Sequence, residues 1–348
     1  MSDGAVAKDG SFNHDNTVPP KSDRVMPLFS LKGKTAIISG AGAGIGTRSL
    51  IMIISSSNRF EVSLSRKATP KLVRTSPSGT TVTRKHLNVL RRLRRRMVSS
   101  VCHFSPCQAT LLTRSSGKAY QVDVTDEDAV EKAVEASVKD LGGRLDVFVA
   151  NSGIPWTQGP ALDGERSHYH KVVSTDLDGT FFCARAAGKI WRKQKFEGTD
   201  INGNKLENFT YGSFIATASM SGHIVNFPQL QAAYNAAKSA VIHLCRCLAV
   251  EWVKFARANS ISPGYINTEI SDFVPPETKA IWKGKTPMGR EGEANELKGG
   301  FLYLASSASS FTTGADIVID VSSPHSHTGN MLTSSREDTA CHEQRPKY

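Results

Sequence analysis

The sequence predicts a doubly wound α/β domain, in which a parallel β-sheet is covered by helices on both faces. The first observation is a series of short apolar runs at residues 35–39, 119–124, 145–150, 212–218, 258–262 and 315–321. The second is that segments with helical periodicity separate these runs, at 125–141, 168–192 and from Tyr234 to about residue 255. Because parallel strands need a crossover between them, this alternation is typical of a sheet whose strands run the same way.

The same patterns predict the limits of the domain. We expect it to cover residues 29–321, after a polar N-terminal extension at 1–28 and before a polar tail at 322–348, both expected to be disordered. The extension lacks the apolar core of a secretory signal. The longest aliphatic run, residues 50–54, is much shorter than the roughly 20 residues that a membrane span needs. The sequence therefore predicts a cytoplasmic protein without a membrane partner.

The first predicted strand runs directly into a glycine-rich turn with glycines at 40, 42, 44 and 46. Glycines allow a tight turn and let backbone N–H groups approach a pyrophosphate, which the dipole of a following helix also attracts. We interpret Gly40, Gly44, Ile45 and Gly46 as a dinucleotide-binding turn. A glycine-rich loop without a ligand is the alternative.

Polar residues follow two other predicted strands at what should be the same edge of the sheet. Asp123 ends the run at 119–124, where an adenine would lie, and the capping-box pattern from Thr125 to Asp128 predicts a helix immediately after it. Asn151 ends the run at 145–150, beside the crevice where ligands bind in such sheets. Capping by Asp123 and an ordinary turn at Asn151 are the alternatives.

Tyr234 and Lys238 stand one helical turn apart, downstream of the predicted strand that Ser219 follows. A tyrosine hydroxyl, with a reference pKa of about 10, is a poor acid–base at neutral pH. An ammonium on the same helix face stabilises the phenolate and lowers that pKa, and a serine hydroxyl stabilises charge on a substrate oxygen. A core tyrosine with a solvated lysine is the alternative. With the glycine turn, the three residues indicate a nicotinamide-dependent oxidoreductase.

The positive charge of the chain belongs to one segment. Residues 47–117 carry fourteen Lys and Arg but a single acid, Glu61, so this segment has a charge of +13 and leaves −2 of the total +11 for the rest. The segment 47–116 is rich in Ser and Arg, and we expect it to replace the second-strand region of the fold. Ser65 and Arg66 lie where a 2′-phosphate would be bound, although an exposed basic loop is the alternative. No aromatic residues interleave the basic run, so no nucleic-acid partner is expected.

The cysteines give no sign of a metal site. The six cysteines lie at 102, 107, 183, 245, 247 and 341, without paired zinc-ligand spacing. We interpret them as reduced thiols, as in cytosolic proteins.

These residues resemble the short-chain dehydrogenase/reductase family. The glycine turn, Asn151-Ser-Gly, Ser219 with Tyr-x-x-x-Lys, and Ser262-Pro-Gly appear in the family's order over roughly 29–46 and 117–320. The longer runs ANSGIPWTQGP, TASMSGHIVNFPQLQAAYNAAK and SPGYINTEISDFVP are similar to its ketose/polyol reductase branch, which includes sorbose reductases and NADP-dependent mannitol dehydrogenases. The resemblance implies a Rossmann-like fold, NADP(H) as cofactor, a small sugar, polyol or ketone substrate, and a homodimer or homotetramer.

The resemblance also implies a role for each site residue. Tyr234 would protonate the substrate oxygen during ketone reduction, and Lys238 would hold the nicotinamide ribose. Ile266 and Thr268 would contact the carboxamide. Ser219 aligns with the catalytic serine, with Ser221 as the alternative at a commoner spacing.

The chain departs from the family pattern at two places that bear on activity. Asp176 replaces the catalytic asparagine of the family, and the segment 47–116 is longer than its counterpart and unlike it. We therefore predict an NADP(H)-dependent reductase of a ketose or small carbonyl compound. The alternative is a catalytically impaired family member that acts as a binding protein through its basic segment.

Overall fold

The computed structural model describes residues 24–41, 44–46, 59–64 and 116–321 and the isolated residues 19 and 22; for 59–64 and 116–118 only the backbone is described. The described strands are β1 Thr35–Ile38, β2 Arg59–Leu64, β3 Ser116–Gln121, β4 Val147–Ala150, β5 Gly212–Thr217, β6 Ala256–Pro263, β7 Ile266–Asn267, β8 Gly292–Glu293 and β9 Asp316–Ile319. Within this part of the chain, seven of them form a parallel sheet in the order β3-β2-β1-β4-β5-β6-β9, and β7 pairs with β8. The predicted Rossmann-like, doubly wound fold is confirmed.

The strand order shows where the sheet has a crevice for a ligand. The strands β2 and β3 lie on one side of β1, in chain order. The chain then crosses to the other side of β1, where β4, β5, β6 and β9 follow one another. This reversal between β1 and β4 leaves a crevice at the carboxyl ends of the two strands, where ligands bind in open α/β sheets. The glycine turn follows β1 and Asn151 follows β4, so both lie at the reversal point.

Helices cover both faces of the sheet. They are α1 Val25–Leu28, α2 Glu127–Asp140, α3 Arg166–Val173, α4 Gly179–Glu197, α5 Ala232–Glu251, α6 Pro276–Lys285 and α7 Lys298–Ala305. Ile37 of β1 packs with residues of α2, α4 and α5, whereas Ile38 packs with residues of α7. Neighbouring strand residues thus enter opposite cores, as expected for a strand buried on both faces. None of the helices described here is long and apolar enough to cross a membrane.

The basic segment contains a strand that the sequence analysis did not assign. Residues Arg59–Leu64 form β2, paired with β1 on one side and β3 on the other. The expectation that 47–116 replaces the second-strand region is therefore wrong for these six residues, because Phe60, Val62 and Leu64 alternate with polar residues as in a strand. Most of the segment, including Ser65 and Arg66, lies outside the described residues, as does the tail 322–348.

Several helix limits also differ from prediction. The side chain of Asp126, not Thr125, accepts the backbone N–H of Ala129 and caps α2. The helix expected at 168–192 runs from Arg166 to Glu197 but contains a π-helical turn at Ser174–Asp178. α1 lies inside the segment 1–28, for which no regular structure was expected. α6 and α7 were not predicted.

Candidate active site

The glycine turn packs directly against the end of β4. Gly40 has a φ of +64°, and a Cβ there would lie 2.7 Å from the backbone nitrogen of Ser152. A Cβ on Gly46 would lie 2.5 Å from the carbonyl oxygen of Gly40. Side chains at either position would therefore force the turn away from β4, and the two glycines keep the backbone open to a ligand.

Asn151 holds this turn to the sheet. Its Nδ2 donates to the carbonyl oxygen of Gly40 at 3.2 Å, and its Oδ1 accepts from the hydroxyl of Thr217 at 3.1 Å. Its backbone N–H donates to the Ser39 hydroxyl at 3.0 Å. Asn151 therefore joins the ends of β1, β4 and β5, which is a structural role at the place where a cofactor contact was predicted.

The loop after β6 forms the other wall of the glycine turn. The Gly44 backbone N–H donates to the carboxylate of Glu269 at 3.1 Å, and Thr268 is the nearest side chain to Gly44. A carboxylate on this N–H shows that the turn presents a donor to an anion, as pyrophosphate binding requires. Ile45 and Ile266 pack against the core with half-buried side chains. The residues present fit a dinucleotide.

We predict that Gly40→Ala impairs both folding and cofactor binding. A side chain at positive φ is strained, and the new Cβ would also overlap Ser152, so the free energy of unfolding should fall by about 1–3 kcal/mol. The dissociation constant for NADPH should rise at least roughly tenfold. Chemical denaturation and NADPH fluorescence titration measure the two effects.

Gly299→Ala is the matched control for this prediction. Gly299 lies in α7, where an added Cβ meets no atom within 4 Å, so the change should stabilise the helix by up to about 1 kcal/mol. Equal cofactor affinity in both variants would contradict the assignment of Gly40 to the binding turn.

Tyr234, Lys238 and Ser219 come together on one side of the same crevice. The first two lie on α5, with the Lys238 Nζ 5.5 Å from the centre of the Tyr234 ring. Ser219 follows β5, and its side chain acts on Tyr234 by lowering the pKa of the tyrosine hydroxyl. Ser221 is bound instead by Gln231, whose Nε2 donates to its hydroxyl at 3.0 Å. The geometry favours Ser219 over Ser221 as the partner of Tyr234.

Asp176 forms a buried ion pair with Lys238, which the sequence analysis did not predict. The Lys238 Nζ lies 3.0 Å from Asp176 Oδ1 and donates to the carbonyl oxygen of Thr217 at 3.0 Å. The other carboxylate oxygen accepts the backbone N–H of Ile154 at 3.0 Å. A Cβ on Gly153 would lie 2.7 Å from Asp176 Oδ1, so the Asn-Ser-Gly turn leaves room for this pair.

The π-helical turn at Ser174–Asp178 presents Asp176 to the site. Such turns insert a residue into an α-helix and occur frequently at functional positions. The Asp176 side chain is fully buried, although carboxylates are rarely buried without a partner. The turn and the ion pair with Lys238 thus account for a buried charge at this position.

Burial, more than the neighbouring charges, determines the pKa of Tyr234. Burial raises it, Lys238 lowers it, and the negative charge of Asp176 raises it again, so the pKa lies above its usual value. Lys238 acts in the predicted direction, but the expected net lowering of the pKa is wrong for this structure because burial, together with the charge of Asp176, outweighs the ammonium. Burial also raises the pKa of Asp176, and although burial alone would lower the pKa of Lys238, its partner Asp176 raises it.

The predicted adenine contact, Asp123, is exposed at the carboxyl end of β3. Its Oδ1 accepts the backbone N–H of Thr125 at 3.0 Å and the Thr125 hydroxyl at 2.8 Å. It therefore stabilises the turn before α2 rather than capping the helix. The contact of Asp123 with an adenine stays a prediction.

Comparison with known proteins agrees with this geometry. A family model described as enoyl-(acyl carrier protein) reductase matches residues 107–321. The L-xylulose reductase of Hypocrea jecorina is 50% identical over 316 residues, which cover 90% of this chain and 98% of that protein. The chain belongs to the short-chain dehydrogenase/reductase family. Like other short-chain dehydrogenase/reductases it is an oxidoreductase that acts on CH–OH and C=O groups.

Two further members of the short-chain dehydrogenase/reductase family show the same similarity. A probable NADP-dependent mannitol dehydrogenase of Yarrowia lipolytica is 42% identical over 307 residues, covering 87% of this chain and 92% of the relative. The crystal structure of an NADPH-dependent 3-quinuclidinone reductase from Rhodotorula rubra superposes with a TM-score of 0.67 and 33% identity, covering 88% of this chain and 97% of that one.

Proposed function

We propose that this short-chain dehydrogenase/reductase uses NADP(H) to reduce a ketose or a small carbonyl compound to the alcohol. The observation that carries the proposal is the convergence of Ser219, Tyr234 and Lys238 at the crevice beside the glycine turn. The preference for a ketose rests on the L-xylulose reductase and on a sorbose reductase of Candida albicans that is 39% identical. The preference for NADP rests on the NADP-dependent mannitol dehydrogenase and the NADPH-dependent reductase.

The residues that would hold the cofactor lie along the carboxyl edge of the sheet. Gly40, Gly44 and Gly46 would receive the pyrophosphate, and Asp123 the adenine end. On the nicotinamide side, Ile266 and Thr268 would face the carboxamide. Lys238 and Tyr234 would face the ribose. Asn151 and the backbone of Ile45 are the remaining cofactor contacts that we propose. When bound, the cofactor supplies a hydride to the carbonyl carbon.

The proton chemistry belongs to Tyr234. The hydroxyl of Tyr234 would donate its proton to the carbonyl oxygen as charge develops there, and the Ser219 hydroxyl would hold that oxygen in place. The raised pKa of Tyr234 keeps the phenol protonated at neutral pH, which suits its role as an acid in the reductive direction. Lys238 would stabilise the phenolate that remains, and Asp176 would keep Lys238 charged and oriented.

A cofactor and substrate screen tests the proposal on the purified full-length chain. We expect NADPH fluorescence to change on binding, with micromolar affinity. With xylulose, fructose or sorbose as substrate, we expect NADPH to be oxidised faster than NADH. No fluorescence response to either cofactor would contradict the enzyme assignment and favour the alternative of a binding protein. Turnover of simple ketones alone would contradict the ketose assignment.

The location and assembly are part of the same proposal. Cys183 and Cys245 lie buried as free thiols, and burial raises the pKa of both to about 12, so these thiols are unreactive and suit a reducing cytoplasm. We expect a homodimer or homotetramer packed through α4 and α5, where Phe181 and Val250 are exposed apolar side chains. Sedimentation of the purified chain at several concentrations would measure the assembly, and a monomer would contradict it.

A further inference from the structure

A chain of hydrogen-bonded side chains leads from the start of α5 to the loop after β6. Asn235 donates to the carbonyl oxygen of Ile224 at 3.1 Å, and its Oδ1 accepts from Gln231 Nε2 at 3.1 Å. Gln231 Nε2 also donates to Asn226 Oδ1 at 2.9 Å. Asn226 Nδ2 in turn donates to the hydroxyl of Tyr265 at 3.2 Å.

The direction of every hydrogen bond in this chain is fixed from one end. A backbone carbonyl can only accept, so Asn235 must turn its amide nitrogen to Ile224 and its oxygen to Gln231. Gln231 must then present its nitrogen, whose first proton goes to Asn235 and whose second is shared between Asn226 Oδ1 at 2.9 Å and the Ser221 hydroxyl at 3.0 Å. The Asn226 oxygen is thus an acceptor, and the Asn226 nitrogen is a donor. The Tyr265 oxygen therefore accepts from Asn226, and its own proton points elsewhere.

Tyr265 is more exposed than Asn226 and Gln231 in this chain of hydrogen bonds. Asn226 and Gln231 are 2% and 8% exposed, whereas Tyr265 is half-buried. The Tyr265 ring stacks on Trp282 of α6, with ring centres 4.0 Å apart and planes 12° apart, so the hydroxyl is rigidly placed. Among the residues that the structure describes, the hydroxyl has Asn226 as its partner and no acceptor for its proton.

The same hydrogen-bonded chain also reaches the catalytic residues. Gln231 precedes Tyr234 by one helical turn, and it contacts both Asn226 and Ser221, whose backbone N–H donates to the hydroxyl of Ser219. Tyr265 itself directly precedes Ile266, a predicted nicotinamide contact. A donor at this place would meet a substrate whose carbonyl oxygen is already held by Ser219 and Tyr234.

We propose that Tyr265 is a specificity-determining residue whose hydroxyl donates a hydrogen bond to a hydroxyl oxygen of a polyhydroxy ketone. This inference rests on the proposed function. The carbonyl oxygen is occupied by Ser219 and Tyr234, so the acceptor for Tyr265 is a different oxygen of the same substrate. Asn226 acts through Tyr265 and is a positioning residue.

Tyr265→Phe tests the proposal with two substrates of the same carbon chain. L-xylulose carries hydroxyls that can accept the bond, and 2-pentanone carries none. We expect the ratio of kcat/KM for L-xylulose to that for 2-pentanone to fall about threefold to tenfold, mainly through KM, which is the usual effect of one lost neutral hydrogen bond. An unchanged ratio, or equal losses on both substrates, would overturn the proposal.

Two further variants test the direction of the hydrogen bond between Asn226 and Tyr265 and control for the loss of a tyrosine hydroxyl elsewhere. Asn226→Asp offers only acceptor oxygens, so the Tyr265 proton should turn inward and the ratio should fall although Tyr265 is intact; an unchanged ratio would overturn the direction argument. Tyr303→Phe removes a hydroxyl on α7 that bonds to Thr312 at 2.8 Å, and should leave the ratio unchanged. If the wild type reduces 2-pentanone but no ketose, the ketose preference in the proposed function fails, which is distinct from a failure of this inference.

Discussion

Replacing Tyr234 by phenylalanine is expected to lower kcat for carbonyl reduction by roughly 10²–10⁴-fold, the range that a positioned general acid supplies. The ring would keep its packing against Trp156, Val172 and Ala233, so the fold should survive. Only the hydroxyl that donates the proton, and its interaction with Ser219, are lost. Steady-state turnover of the preferred ketose with NADPH measures the effect.

Cofactor binding separates loss of chemistry from loss of structure in this variant. The dissociation constant for NADPH should change far less than kcat, because the glycine turn and the loop after β6 are untouched. Tyr169→Phe on α3, an exposed tyrosine beside His170, is the matched control and should keep wild-type turnover. Wild-type kcat in Tyr234→Phe would remove Tyr234 from the mechanism.

Replacing Lys238 by methionine is expected to damage both stability and activity. The change leaves Asp176 fully buried without its counter-charge, and loss of one partner of a buried ion pair costs about 3–5 kcal/mol of unfolding free energy. Turnover should fall as well, because no ammonium remains to stabilise the Tyr234 phenolate. Urea denaturation and ketose turnover measure the two losses.

The stability loss in Lys238→Met should depend on pH with a definite sign. Burial raises the pKa of Asp176 above its unfolded value, and removal of Lys238, which lowers it, raises it further. Between about pH 4 and the pKa of Asp176 in the folded state, the Asp176 carboxyl is therefore protonated in the folded protein but ionised in the unfolded one. Stability of the variant should therefore fall as pH rises through this window, and a rise would contradict the assignment.

A double variant distinguishes the buried charge from other effects. Asp176→Asn with Lys238→Met removes both charges, so most of the lost stability should return, whereas the activity should not. Stability that stays low in the double variant would show that the damage comes from lost packing of the lysine side chain instead.

The sequence was sufficient to predict the elements whose signal is local. Apolar runs marked β1, β4 and β5, the glycines marked the turn at 40–46, and the four-residue spacing of Tyr234 and Lys238 placed both on one helix face. Each of these depends on residues that are neighbours in the chain. The fold class followed from their order, because parallel strands restrict the possible connections.

Long-range contacts could not be predicted in the same way. The pairing of Asp176 with Lys238 depends on how α3 and α4 pack against α5, and the contact between Asn226 and Tyr265 joins two loops distant in sequence. β2 was missed although Phe60, Val62 and Leu64 alternate with polar residues, because the segment around it is rich in Ser and Arg. Strands pair with it on both sides. For Asp176, a buried acid at the position of a family asparagine was the one local signal, and it indicated a change without indicating its partner.

The π-helical turn makes the stretch from α3 to α4 sensitive to its length. The turn directs Asp176 towards Lys238, while further along α4 the fully buried Trp191 donates its Nε1 proton to the carbonyl oxygen of Leu145 at 3.1 Å. Each residue of a helix turns by roughly 100°. Inserting or deleting one residue between Asp176 and Trp191 would rotate one of them out of the interior, so related sequences should vary here by substitution and keep the number of residues constant.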